Sequence, residues 1–217
     1  MTSQLVRETF ETSRLLEFFN ERELTMQLGK AKAMWPVVII KEKIDNGLDA
    51  CENAGVPPTI EIKIDKNRFS VMDNGPGIPE STLRRTLNYS VRISDKSFYI
   101  SPTRGQLGNA LKTIYAAPFI IDGEKGVIEI QTQNKKHTIE IKLDRIEQRP
   151  KLDMITEEIH TYCKNGTKIT THWPDSASLV GLSHPLDFYI SMRTSNTKTM
   201  AMRSRSMRKK KSSGRCS

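Results

Sequence analysis

No stretch of this sequence is apolar for long enough to cross a bilayer: runs such as Trp35 to Ile40 fall far short of the roughly 20 residues that a spanning helix needs. The N-terminus, MTSQLVRETFETSRLL, also lacks the unbroken apolar core of a secretory signal, because charged residues interrupt it. Together these absences lead us to expect no membrane partner and a cytoplasmic, intracellular location. Cysteine is scarce. Cys51, Cys163 and Cys216 are odd in number and far apart, with no CxxC pair and no histidine at metal-ligand spacing, which argues against a disulfide framework and a structural zinc site. No internal repeat is present. Acidic residues are missing from one region altogether: between Ser191 and Ser217 there are nine lysines and arginines and no aspartate or glutamate. Those nine account for the whole net charge of +9, so residues 1–190 are formally neutral.

A chain of 217 residues holds one substantial core with an appendage. We expect a folded body over 1–190 and a basic tail over 191–217. The tail is rich in Ser, Thr, Met, Lys and Arg and has no apolar period, so ordering it would bury too little to offset the lost entropy. Such a tail suits a polyanion such as DNA, and equally a solvated end with no ligand.

Against these absences stands Ile39 to Cys51, IIKEKIDNGLDAC. Ile40, Ile44 and Leu48 recur at helical spacing, while Glu42, Asp45, Asn46 and Asp49 follow the complementary i, i+3, i+4, i+7 pattern. A carboxylate and a carboxamide one turn apart point the same way, so Glu42 is placed to activate a water and Asn46 to offer its oxygen to Mg2+. The same residues also fit a helix that merely carries acids and amides on its wet side. Its start falls near Lys32 or at Pro36, and its end at Gly55, before Pro57 and Pro58.

An amphipathic helix is expected before it, near Ser13 to Glu23, with Ser13 as N-cap. Thr59 to Ile64 alternates as a half-buried strand, and Arg68 to Met72 returns as its hairpin partner, delivering Asp73 at its end. Next comes Asp73-Asn74-Gly75-Pro76-Gly77. Two glycines let backbone approach a flat ligand, and a carboxylate at a strand end accepts from an exocyclic amine, which suits adenine; DNGPG is equally a good surface turn. A short helix is expected over Pro79 to Asn88, then a mobile loop to Thr103. Thr103-Arg104-Gly105-Gln106-Leu107-Gly108 runs into an apolar helix through Ile114, and free amides at such a helix start suit a polyphosphate, although GxxG alone often marks only a tight turn. Lys112 falls a turn into that helix and is expected to be solvated. A second hairpin is expected from Gly126–Gln133 and Thr138–Leu143, a short helix around Asp153 to Ile159, a strand from Thr167 to Trp173 after Asn165-Gly166, and a last helix within Ser176 to Ile190 broken at Pro185.

Taken in order, Glu42-x3-Asn46, Asp73-x-Gly75-x-Gly77, Gly105-x2-Gly108 and Gly166-Thr167 resemble the GHKL (Bergerat-fold) ATPases. Among these the likeness is greatest to the B subunit of topoisomerase VI, through LEFFNE, IDNGLDACENAGVPPTIEI, VMDNGPGIP and TRGQLG, and it covers roughly residues 10 to 175. The resemblance implies an α+β fold, a two-layer sandwich with a mixed, mostly antiparallel sheet covered on one face by helices. It implies ATP and Mg2+ as cofactors, Glu42 as general base, Asn46 as magnesium ligand and Asp73 as the adenine-recognising carboxylate. Gly75 and Gly77 would border the base, Gly105, Gln106, Leu107 and Gly108 would form the phosphate-facing lid, and Thr167 would support the adenine end. The implied function is ATP-driven closure coupled to a DNA-cleaving topoisomerase-like subunit and DNA, with a nucleotide-dependent homodimer; the alternative is a nucleotide-binding switch with little turnover. Histidine kinase activity fits poorly, since the four histidines all follow the lid. Three departures stand out. Ala110 replaces a lid glycine, Lys43 replaces an apolar residue after the glutamate, and no residue here is assigned to the lysine that a transducer domain contributes in related subunits.

Overall fold

In the computed structural model the described residues are 18–89, 110–144, 146–147, 149–159, 165–175, 179 and 182. The lid at 103–109, the tail at 191–217 and all but two residues of the segment expected to form the last helix lie outside them.

Helix α1 spans Glu21–Leu28. Its cap is Asn20, whose side chain accepts from the amides of Arg22 and Glu23, and it ends on Gly29 in the left-handed region. Of the helix expected near Ser13 to Glu23, residues 13–17 lie outside the described residues; over the rest it is corrected, since a bend at Phe19 and Asn20 precedes α1 and the capping carboxamide there satisfies the first free amides of a new helix. A 3-10 turn over Lys32–Met34 leads into α2, Trp35–Asn53, with Pro36 in its first turn, where a missing amide hydrogen costs nothing. Gly55 follows with φ +65°, and the Val56 amide closes the end on the Cys51 carbonyl.

Strands β1 (Glu61–Ile64) and β2 (Arg68–Met72) form the expected hairpin. Helix α3 spans Glu80–Thr86 and helix α4 Ala110–Asp122. Strands β3 (Lys125–Thr132) and β4 (Lys135–Asp144) meet at a two-residue turn, where Gln133 and Asn134 both take positive φ, as the twist of a tight hairpin requires. Strand β5 spans Arg149–Glu158, in place of the helix expected around Asp153 to Ile159. Leu152, Met154 and Thr156 are partly buried while Lys151, Asp153 and Ile155 are exposed, a period of two that pairing with β4 rewards. Strand β6 covers Thr167–His172.

The sheet order is β1-β2-β6-β3-β4-β5, and every pairing among the described strands is antiparallel. Inserting β6 between β2 and β3 sets Thr167 beside Asp73 at the end of β2 and opposite Thr132 at the end of β3. The helices pack on one face of the sheet. Their shared core includes Trp35, Ile40, Ile44 and Leu48 of α2, Ile114 and Tyr115 of α4, and Phe69, Val71, Ile128, Ile130, Ile139 and Ile141 from the strands. The fold is α+β, an open antiparallel sheet with helices against it. Among the described residues no helix is long and apolar enough to cross a membrane.

Candidate nucleotide site

Helix α2 is buried far beyond its apolar stripe. Ile40, Ile44 and Leu48 lie in the core as expected, but Asp45 and Asp49 of the polar face are also buried, while Glu42 and Asn46 are partly exposed. Glu42 and Asn46 therefore stand one turn apart at the edge of the buried zone. Lys41 ties this end together: its ammonium is 2.7 Å from Asp45 Oδ2 and 3.3 Å from Glu42 Oε1. Its neighbour Lys43 occupies a core position, as a stand-in for an apolar residue must. The Lys43 stem runs toward the sheet and its amine ends on Thr171 Oγ1 at 2.6 Å, above the ring of Phe69. Burial holds the pKa of that amine well below the usual lysine value.

One residue beyond Asn46, α2 passes directly over Asp73. A Cβ added to Gly47 would lie 2.9 Å from Asp73 Cβ and 3.0 Å from Ile60 Cδ1, so only glycine lets the helix come this close. Asp73 in turn is fixed by backbone. Its Oδ1 accepts from the Gly75 amide at 2.9 Å and from the Thr167 amide at 3.2 Å, and its own amide donates to the Thr167 carbonyl at 3.0 Å. Oδ2 is left without a hydrogen-bond partner from another described residue. Burial pushes the Asp73 carboxyl above the ordinary carboxylate value, and the two amides pull it only part of the way back. A donor arriving at Oδ2 would complete the set.

The loop after Asp73 is clamped along its length. Asn74 accepts from the Thr59 amide at 2.7 Å and donates to the Pro57 carbonyl at 3.0 Å, which anchors the loop to the segment leaving α2. Gly77 takes φ +83°, a conformation that a side chain resists, and a Cβ there would lie 2.7 Å from Thr132 Oγ1. Gly166, with φ +104°, sits so close that a Cβ would land on the Asp73 carbonyl oxygen. At the far end Glu80 binds Arg84 and, at 2.9 Å, Lys135; these cations hold its carboxyl down to about 2.

The structure thus brings Asp73, Gly75 and Thr167 into one hydrogen-bonded cradle with Gly77 packed against Thr132, and Gly47 sets α2, which carries Asn46 and, one turn earlier, Glu42, over Asp73. Gly105, Gln106, Leu107 and Gly108 lie outside the described residues. Lys112 contradicts its expected solvation. It is 2% exposed, with its ammonium 5.5 Å from the centre of the Tyr89 ring and 5.9 Å from that of Phe18, while the Tyr89 hydroxyl donates to the Lys112 carbonyl. Two aromatic residues distant in sequence roof the first turn of α4, and helical periodicity cannot reveal such a cover. Sequence reasoning does not single out Thr132 either. The signal it offers is a hydroxyl where the alternation of Ile128 and Ile130 calls for another apolar residue.

The residues present fit the groups that the site implies. Pockets for a planar base need close-lying glycine backbone and a free acceptor, and the cradle has both. Among the described residues no three His, Cys, Asp or Glu side chains group to hold a metal, and the candidate donor that α2 offers beside the cradle is the carboxamide of Asn46. Such a sparse set matches Mg2+, which takes one or two protein ligands and fills its shell with phosphate oxygens and water.

A helical layer over one face of an antiparallel sheet, with a glycine-flanked carboxylate where strand, loop and helix meet, defines a class of nucleotide-binding α+β folds. Sequence comparison agrees. Residues 31–176 match the histidine kinase-, DNA gyrase B-, and HSP90-like ATPases, and the chain belongs to that family. It is 29% identical over 162 residues to the B subunit of type 2 DNA topoisomerase 6 from Archaeoglobus fulgidus, covering 70% of this chain and 26% of that protein. With its counterpart from Natronomonas pharaonis it shares 29% over 156 residues, covering 67% and 19% respectively. With that of Thermococcus gammatolerans it shares 33% over 112 residues, covering 49% and 19%. The chain thus spans about a quarter or less of the length of these relatives.

Proposed function

We propose that this chain binds ATP with Mg2+ and hydrolyses it, as an ATPase domain of the kind found in topoisomerase VI B subunits. The observation that carries the reading is Asp73: a partly buried carboxylate with one oxygen fixed by two backbone amides and the other left for a ligand donor, between glycines that admit a flat ring. Asp73 accepts from the adenine amine, Gly75 and Gly77 border the base, and Thr167 holds Asp73 in place. Asn46 offers its oxygen to the metal. When held there, Mg2+ would supply positive charge to offset the charge that develops on the phosphates. Glu42 takes a proton from the attacking water, and Lys41, in contact with its carboxylate, helps to orient it. Gly105 to Gly108 close over the phosphates.

Coupling to a DNA-cleaving subunit, with nucleotide-dependent pairing of two copies, is the further reach of this reading. The names of the relatives support it. The basic tail beyond residue 190 would then contact DNA, with an affinity that falls as salt rises. A second reading, a nucleotide-operated switch with little turnover, is favoured by Lys112, whose ammonium lies against aromatic rings. On either reading the isolated chain turns over slowly until a lysine from another domain or polypeptide reaches the terminal phosphate. Phosphate release measured beside binding of a labelled ATP analogue tests both. Binding with slow release that Glu42→Ala abolishes supports the ATPase. Binding with release indifferent to Glu42→Ala supports the switch, and no binding removes both.

A further inference from the structure

We propose that Thr132 is a positioning residue of the nucleotide site, its hydroxyl fixing the glycine-bearing loop at the spacing from β6 that the base requires. This inference rests on the nucleotide reading above but assigns a residue which that reading does not use.

Thr132 is the last residue of β3, on the face of the sheet that carries Ile128 and Ile130 toward the helices, and it is 2% exposed. A hydroxyl in such a place is costly unless its hydrogen bonds are made. Both are made, and both go to the walls of the site. Oγ1 accepts from the Ile78 amide at 2.9 Å and donates to the Gly166 carbonyl at 3.3 Å. The two segments it joins are those that Asp73 joins from the other side, through Gly75 and Thr167. One side chain therefore ties the start of the loop to the start of β6, and the other ties the end of the loop to the turn before it. The 2.7 Å that separates Thr132 Oγ1 from a Cβ built on Gly77 shows how tightly the hydroxyl backs the glycine proposed to border the base. Lys135, directly across the hairpin from Thr132, reaches the same segment through Glu80, so both members of this cross-strand pair hold the loop.

Substitution of Thr132 separates holding the loop from merely filling space. Valine keeps the shape and removes the hydroxyl, leaving the Ile78 amide and the Gly166 carbonyl unpaired; serine keeps the hydroxyl and removes the methyl group. In calorimetric titrations with a non-hydrolysable ATP analogue and Mg2+, Thr132→Val is expected to bind about tenfold more weakly, and Thr132→Ser within about threefold of the unaltered chain. Amide exchange at Ile78 is expected to accelerate in the valine variant and not in the serine variant, because that amide bonds to the hydroxyl and not to a strand. Turnover at saturating ATP is expected to change little, since Glu42 and Asn46 sit on α2 and are untouched; the loss belongs in KM.

Unchanged affinity in Thr132→Val overturns the proposal even if the melting temperature falls, because the hydroxyl then serves stability alone. Equal losses in the valine and serine variants overturn it too. If the valine variant does not fold, Thr132→Ala provides the same comparison with less crowding, and unchanged affinity there overturns the proposal. Failure of the unaltered chain to bind the analogue removes the nucleotide reading and this proposal together, whereas binding that is indifferent to Thr132 removes this proposal only.

Discussion

Asp73 and Glu42 are the two carboxylates on which the candidate site turns, and the protein holds them in opposite ways. Asp73 is partly buried, its Oδ1 locked by the amides of Gly75 and Thr167, and its loop is cross-tied by Thr132, Asn74 and Glu80. Glu42 is also partly exposed, and its carboxylate meets the ammonium of Lys41, itself 39% exposed, which leans more closely on Asp45. Backbone hydrogen bonds cannot be rearranged without moving a strand, whereas an exposed ion pair is worth little and exchanges freely with water. On the proposed reading, the end that would recognise the base is held in place before any ligand arrives, and the end that would do the chemistry keeps the freedom to admit phosphate, metal and water.

The sharpest way to break this contrast is at Glu42. Glu42→Ala is expected to lower hydrolysis by roughly 10²-fold or more with ATP affinity retained, which paired turnover and binding measurements would check. Loss of both together would mean that Glu42 belongs to the preformed end after all.

Asp73→Ala is expected to have the reverse profile, weakening ATP by about 1.5–3 kcal/mol, the range for a hydrogen bond to a charged group. Asp73→Asn sharpens the comparison through pH. Because burial raises the folded pKa of Asp73 above its ordinary value of 3.8, the contribution of this group to stability is fullest below that value and is lost as pH rises through the folded pKa. Asparagine can still accept from Gly75 and Thr167 but never ionises. Thermal melts of the unliganded variant are therefore expected to gain on the wild type as pH rises from 3.8 through the raised folded pKa, while its ATP affinity falls. A gap that shrinks over that range would contradict the sign.

What can be read from the sequence follows the same division. The candidates Glu42, Asn46 and Asp73 can be picked out of the sequence because the first two stand one helical turn apart and the third lies at a strand end before two glycines, whereas Thr167 is singled out through the family resemblance. The hairpin of β1 and β2 and the long helix α2 are legible for the same reason: Ile60, Ile62 and Ile64 alternate, and Pro36 and Gly55 bracket the helix. Interactions that join distant segments are not legible. Thr132 acquires its role only when β6 is inserted between β2 and β3, and Lys112 is buried only because Phe18 and Tyr89 cover it. Strand β5 imitates a helix in sequence because its alternation is carried by charges and by Ile155, an apolar residue 59% exposed on the outward side. Its pairing with β4, rather than local propensity, makes it a strand.

The smallest expected effect is at Lys41. Lys41→Ala removes both contacts to Glu42 and Asp45, yet a pair with a half-exposed member contributes under about 1 kcal/mol, so thermal stability and ATP affinity are expected to change little. A large fall in affinity would show that Lys41 touches the ligand directly and that the chemical end is also preformed.

The central claim, that a preformed carboxylate cradle at Asp73 reads adenine, is tested most directly by titrating the purified chain with labelled ATP and competing with unlabelled ATP or GTP in the presence of Mg2+. Saturable binding that ATP displaces and GTP displaces far less well is expected, with the preference lost in Asp73→Ala. Equal displacement by the two nucleotides, or the same preference without the Asp73 carboxylate, would contradict it.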